Sequence, residues 1–265
     1  MCLAVIALAA HPRYALVVAT NRDEFHARAA ARATWGTAPP FIDIVAGRDL
    51  AAGGTWLGAR RDGRWALVTN VRDGAGNDAG ARSRGELVPR VLNAPANPRA
   101  AADDVRGSAH RYNGFNLLAG DFHGAIWMSN RGAGPVDMAA GVHGLSNALL
   151  DTPWPKLALT RQRVAAWAAA GDADTAPLFA ALADRAQAPD ALLPSTGVTL
   201  DRERLLSSPF IVSDAYGTRC STVFTIDHDG RARFHERTFD AAGMPSGEVI
   251  EAFDLVQPEL ERLDG

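Results

Sequence analysis

Two Asp-Gly dipeptides constrain this chain most. Asp62-Gly63 lies within TWLGARRDGRWALVTNV and Asp229-Gly230 within TRCSTVFTIDHDGRARFHERTF, each between runs rich in Val, Ile, Phe, Trp and Thr. Asp-Gly accepts the positive φ of a tight hairpin turn, so each stretch predicts two adjacent antiparallel strands. The N-terminal runs Cys2 to Ala9 and Ala15 to Thr20, joined through HPRY, read as a third hairpin. FNLLAGDFHGAIWMSN, turning at Gly120–Gly124, reads as a fourth. At least eight strands are therefore expected.

Helical patterns fill the intervals. SRGELVPRVLNAP and PRAAADDVRGSAHR precede the FNLLAG hairpin, and DTPWPKLALTRQRVAAWAAAG and TAPLFAALADRA follow it. The third carries an early proline, apolar spacing at Leu157, Leu159, Val164 and Trp167, and a closing glycine. Gln187 to Thr199 reads as a loop. Hairpins and helical blocks in this order predict an α+β protein, two antiparallel sheets covered by helices, in one domain spanning residues 1–265.

Several function classes are disfavoured. Against 30 acidic residues stand 27 basic ones, for a net charge of −3, so no electrostatic footprint for nucleic acid is present. No apolar run reaches the roughly 20 residues of a membrane span, so no integral membrane segment is expected. The apolar N-terminus lacks a basic leader and is interrupted at His11-Pro12-Arg13, which favours a cytoplasmic location over export. Gly53-Gly54 lacks the Gly-Lys-Ser/Thr of a phosphate loop, and the seven histidines lack zinc-helix spacing, so no metal or organic cofactor is expected. Cys2 and Cys220, the two cysteines, allow one disulfide, which a reducing compartment disfavours.

The chemistry-bearing residues gather near the N-terminus. Removal of Met1 before a small residue would leave Cys2 with a thiol and a free α-amine on one carbon, a nucleophile with its own base. The amine and thiol have ordinary pKa values of about 7.7–8.0 and 8.5, so proton transfer between them is nearly thermoneutral. Asn21, Arg22, Asp23 and Glu24 are expected just past the second strand, opposite Cys2 across the hairpin. A small processed residue followed by a solvated polar turn is the competing reading of the same residues.

MCLAVIAL, ATNRDEFHARAA, GRDLAAGGTWLGARRDGRWALVTNVRD, SRGELV, YNGFNLL, GLSNALLDTPWPK and YGTRCSTVF together resemble the NRDE family, also called the transport and Golgi organisation protein 2 family. That resemblance implies a four-layer αββα sandwich of two antiparallel sheets, like the N-terminal nucleophile hydrolases. It also resembles the site logic of choloylglycine hydrolases and penicillin V acylases. On that likeness Cys2 matches the nucleophile and Arg22 and Asp23 the charged pair, although those enzymes separate the two. Asn70 and Asn147 match the oxyanion asparagines, and Arg219 matches a late arginine. Asn21 and Glu24 are family residues assigned to supporting the substrate site; apart from the resemblance, Trp56 is a candidate for its apolar wall, with a place in the core as the competing reading.

Two functions follow as expectations. The first is a cysteine N-terminal nucleophile hydrolase cleaving a linear amide or related acyl bond of a small, partly apolar substrate. The second is a non-enzymatic carrier of haem, acyl-CoA or lipid. Any haem would be a non-covalent carried ligand, because no CxxCH is present.

Overall fold

The computed structural model describes residues 2–74, 76–132 and 134–256; for Cys2 this covers the backbone, and its side chain and Met1 lie outside the described residues. Thirteen strands are described, forming two antiparallel sheets. The first sheet has the order β10 (Gly141–Leu145), β1 (Cys2–Leu8), β2 (Tyr14–Phe25), β11 (Tyr216–Asp227), β12 (Arg231–Phe239), β13 (Pro245–Asp254). The second runs β3 (Ala30–Trp35), β4 (Ile44–Asp49), β5 (Leu57–Arg60), β6 (Trp65–Asn70), β7 (Phe115–Gly120), β8 (Ala125–Ser129), β9 (Val136–Asp137). Five α-helices accompany them: α1 (Leu87–Leu92), α2 (Pro98–Gly107), α3 (Pro155–Ala170), α4 (Ala176–Leu182) and α5 (Leu200–Leu206).

Strand alternation builds the layers. Ala4, Ile6 and Leu8 of β1 and Leu16 and Val18 of β2 face Val45, Leu57, Trp65, Leu67 and Leu118 of the second sheet, forming the central apolar layer. The odd-numbered residues Leu3, Val5, Ala7, Val17 and Ala19 pack outward against Leu157, Val164 and Trp167 of α3 and Leu178 and Leu182 of α4. On the far side, Ile44, Ala46, Ala66 and Leu117 meet Leu87, Val88 and Val91 of α1 and Ala102 and Val105 of α2. The order helix, sheet, sheet, helix is the four-layer αββα arrangement.

All four expected hairpins form, with Gly63 and Gly230 at φ 85° and 79° in their turns. Helix α3 begins with Pro155 in its first turn and ends at Gly171 in the left-handed region. One boundary differs. Asn21 to Glu24 do not follow β2 but continue it, and Asn21, Arg22 and Asp23 are buried. The polar run is strand because tertiary partners satisfy it. The register also decides the cysteine question: Cys2 and Cys220 both pair with Arg22, from opposite sides. Their backbones are thus about 9.5 Å apart, two strand spacings, beyond the 4.4–6.8 Å span of a disulfide.

Candidate active site

A cleft of about 300 Å³ opens where the end of β2 meets the end of β6. Arg22, Asp23 and Glu24 form one wall, Asp49, Thr55 and Trp56 a second, Val68 and Asn70 the base, and residues 81–85 the rim. The cysteine hairpin meets this site through its register, since Cys2 is the residue paired with Arg22.

Adjacency in a strand sends Arg22 and Asp23 to opposite faces. Arg22 turns toward the second sheet, its guanidinium carbon 4.3 Å from the centre of the Trp56 ring. Among the described residues its Nη1 makes no hydrogen bond, although the side chain is buried. Asp23 turns toward the helical layer, where its carboxylate accepts from Thr218 Oγ1 at 2.7 Å and its carbonyl from the Tyr216 hydroxyl at 3.0 Å. Burial pushes the Asp23 carboxyl above the ordinary range, with the Lys156 ammonium and the Thr218 hydroxyl acting against that rise. Lys156 is the chain's single lysine, and only 3% of it is exposed.

The neighbouring residues of the run support this arrangement. Asn21 is fully buried; its amide donates to the Leu182 and Pro209 carbonyls at 2.8 and 2.9 Å and its oxygen accepts from Ser221 at 2.6 Å. It ties β2 to α4 and β11. Glu24 lies 3.9 Å from Arg28, which donates to Asp49 through Nε and Nη2 at 2.9 and 2.7 Å. Burial opposes the Asp49 charge, but the Arg28 hydrogen bonds outweigh it, with the Ala51 amide and Arg22 adding to them, so this carboxyl sits below its ordinary value.

Two glycines shape the second wall. A Cβ at Gly47 would overlap the Trp56 ring, and one at Gly54 would overlap the backbone of Gly85. That last approach lets the Thr55 amide donate to the Gly85 carbonyl at 3.0 Å, fixing the SRGE segment as the cleft's rim. Arg84 is held there by a 2.9 Å bond to the Gly114 carbonyl.

The structure also joins Asn70 and Asn147, which are far apart in sequence. Asn147 Nδ2 donates to the Asn70 carbonyl at 3.1 Å, and the Asn147 carbonyl accepts from the Arg72 amide at 2.8 Å. Asn147 is buried, and among the described residues its Oδ1 has no hydrogen-bond partner. Arg219 stands apart from this cleft. It sits at the irregularity between Thr218 and Cys220, and its Nη1 donates to the carbonyls of Phe25, His26 and Arg28 at 3.2–3.3 Å.

Known proteins resemble this chain over most of its length. The family model described as Transport and Golgi organisation 2 matches residues 1–241. The chain belongs to the Transport and Golgi organisation 2 family. Transport and Golgi organization protein 2 homolog of Bos taurus is 38% identical over 243 residues, spanning 85% of this chain and 87% of that protein. The Homo sapiens homolog is 35% identical over 245 residues, with the same coverage. Among solved structures, the C2A mutant of conjugated bile acid hydrolase from Clostridium perfringens matches with a TM-score of 0.49 and 9% identity, covering 96% of this chain and 92% of that one.

In this Transport and Golgi organisation 2 chain, the cleft contains more than the sequence analysis singled out. Arg28 and Asp49 were given no role because each is an ordinary surface residue type until a partner distant in sequence is known, and SRGE, read as a helical start and a family block, was not placed at the cleft. Lys156 carried the one usable signal: a lone lysine in a chain whose other 26 Lys and Arg positions are all arginine.

Proposed function

We propose that the protein is a cysteine N-terminal nucleophile hydrolase that cleaves an amide or related acyl bond of a small substrate. The observation that carries this reading is the register pairing of Cys2 with Arg22 at the mouth of a cleft lined by Asp23 and Asn70. No helix among the described residues is long and apolar enough to cross a membrane.

With Met1 removed, the Cys2 α-amine takes the thiol proton as sulfur bonds to the substrate carbonyl carbon. The tetrahedral oxyanion accepts hydrogen bonds from the Asn70 side chain and from Asn147 once its amide leaves the Asn70 carbonyl. The carbon–nitrogen bond then breaks, and the leaving amine departs with the proton from the α-ammonium. Water attacks the thioester, giving its proton back through the same amine and releasing the acid and the free thiol. Arg22 favours the Cys2 thiolate by its charge, and Asp23 orients the α-ammonium. Glu24 and Asn21 support the strand, and Trp56 with Val68 supplies the apolar part of a cleft whose described lining is otherwise largely charged and polar.

A carrier of haem or acyl-CoA using the same cleft is the second reading, favoured by the cleft's arginines, Arg22, Arg28, Arg82 and Arg84. Native protein and Cys2→Ala are screened against amides and acyl thioesters, with haem and acyl-CoA titrations alongside. Turnover by the native chain that is lost in Cys2→Ala supports the hydrolase. Ligand binding that survives Cys2→Ala, with no turnover by the native chain, supports the carrier and ends the hydrolase reading.

A further inference from the structure

A second cavity, of about 140 Å³, lies between the two sheets on the other side of Arg22 and Trp56. Its charged lining consists of Arg22, Arg32, Arg219 and Glu236, three guanidiniums against one carboxyl, giving a net charge of +2 even with Glu236 ionised. Two of these guanidiniums present unused donors. Arg22 Nη1 and Arg219 Nε are buried and, among the described residues, make no hydrogen bond. Arg22 is 5% exposed, so water does not compensate it freely. A buried donor without a partner is costly, and a charged one more so.

The single acid does not neutralise the cavity. Glu236 is 1% exposed, and its Oε1 accepts from the Ala33 amide at 2.7 Å. Burial pushes its carboxyl above the ordinary range, with the Ala33 amide, the Cys220 thiol and the Arg22 charge acting against that rise. A carboxyl biased toward its neutral form leaves the guanidiniums still less balanced. At the mouth, Arg32 donates to the Ser246 carbonyl and lies across Gly247, where a Cβ would overlap the guanidinium. The glycine thus gives this charge its place at the entrance.

We propose that this cavity between the sheets binds a small oxyanion, a carboxylate or phosphate group, through Arg22, Arg219 and Arg32. Planar guanidinium donors match both groups, and the volume admits a short acid rather than a long chain. The cavity shares the Arg22–Trp56 wall with the outer cleft but faces away from it, and anion binding there is read without any turnover by Cys2.

Calorimetric titration of the full chain at low chloride tests this, with propionate, inorganic phosphate and the neutral isostere propionamide. One saturable site for propionate or phosphate, with none for propionamide, is the expected result, and the anion that binds identifies the oxyanion. Arg219→Gln weakens it by about tenfold or more. That substitution also removes three bonds to backbone carbonyls, so the exposed Arg32→Gln serves as a variant that keeps the fold, and it weakens binding several-fold. Glu236→Gln binds at least as tightly as the native chain. Absence of saturable anion binding, equal binding of propionamide, loss of binding in Glu236→Gln, or unchanged affinity in folded Arg219→Gln and Arg32→Gln overturns the proposal.

Discussion

Arg22 and Trp56 stack with 4.3 Å between guanidinium carbon and ring centre, and this pair lines both the outer cleft and the cavity between the sheets. It is the partition between them. Trp56→Ala removes a ring that is 8% exposed together with its cation–π contact, so unfolding free energy falls by about 3–5 kcal/mol. Trp56→Phe keeps an aromatic face and loses about 1–2 kcal/mol. Paired urea titrations measure both, and equal losses would remove the stacking role.

Gly47 makes that ring's position accessible. Gly47→Ala places a methyl against the Trp56 ring and costs about 1–3 kcal/mol by overpacking. Combining it with Trp56→Ala should recover most of that cost, because the clash disappears with the ring. An additive double variant, measured by the same denaturation, would show that the strain lies elsewhere.

The buried Asp23 and Lys156 are electrostatic partners. Lys156→Met leaves the Asp23 carboxyl to its burial and costs about 3–5 kcal/mol, whereas the double variant Asp23→Asn, Lys156→Met costs less than the sum of the two single changes. A double-mutant cycle in urea measures the difference. Additivity would mean that the two groups do not sense each other.

Glu236 gives a pH dependence of determinable sign. Burial raises its native carboxyl above the ordinary value of 4.5, so between those two values the folded state holds a proton that the unfolded state has lost. Its contribution is complete below 4.5 and is lost as pH rises to the raised native value, at about 1.4 kcal/mol per pH unit inside that window. Native protein therefore loses stability relative to Glu236→Gln as pH rises. Asp49 behaves oppositely: its depressed carboxyl contributes fully above 3.8 and loses that contribution as pH falls through the native value. Stability profiles of native, Glu236→Gln and Asp49→Asn chains check both directions.

Much of this architecture was legible because hairpin turns and helix ends are local chemistry. Asp62-Gly63 and Asp229-Gly230 marked their turns, and Pro155 and Gly171 bracketed α3. Strands β3, β4, β9, β10 and β13 and helix α5 were not read, since short or half-exposed elements such as β13 owe their form to the strand beside them. The polar stretch from Asn21 to Glu24 was read as following the strand because its partners, Leu182, Pro209, Thr218 and Ser221, lie more than 150 residues away. At the site, Asn70 and Asn147 were chosen separately and the structure brings them together, whereas Arg219 lines the other cavity. Sequence identifies candidate chemistry; the register between strands decides which candidates meet.

The central claim is that Cys2, as the first residue, forms the acyl bond. Peptide-resolved mass spectrometry of the native protein, after brief exposure to a short-chain acyl thioester and acid quench, tests it most directly. The account predicts a chain beginning at Cys2, with the acyl mass on the Cys2 peptide and none on Cys220, and no adduct in Cys2→Ala. A retained Met1, or acylation confined to Cys220, would contradict it.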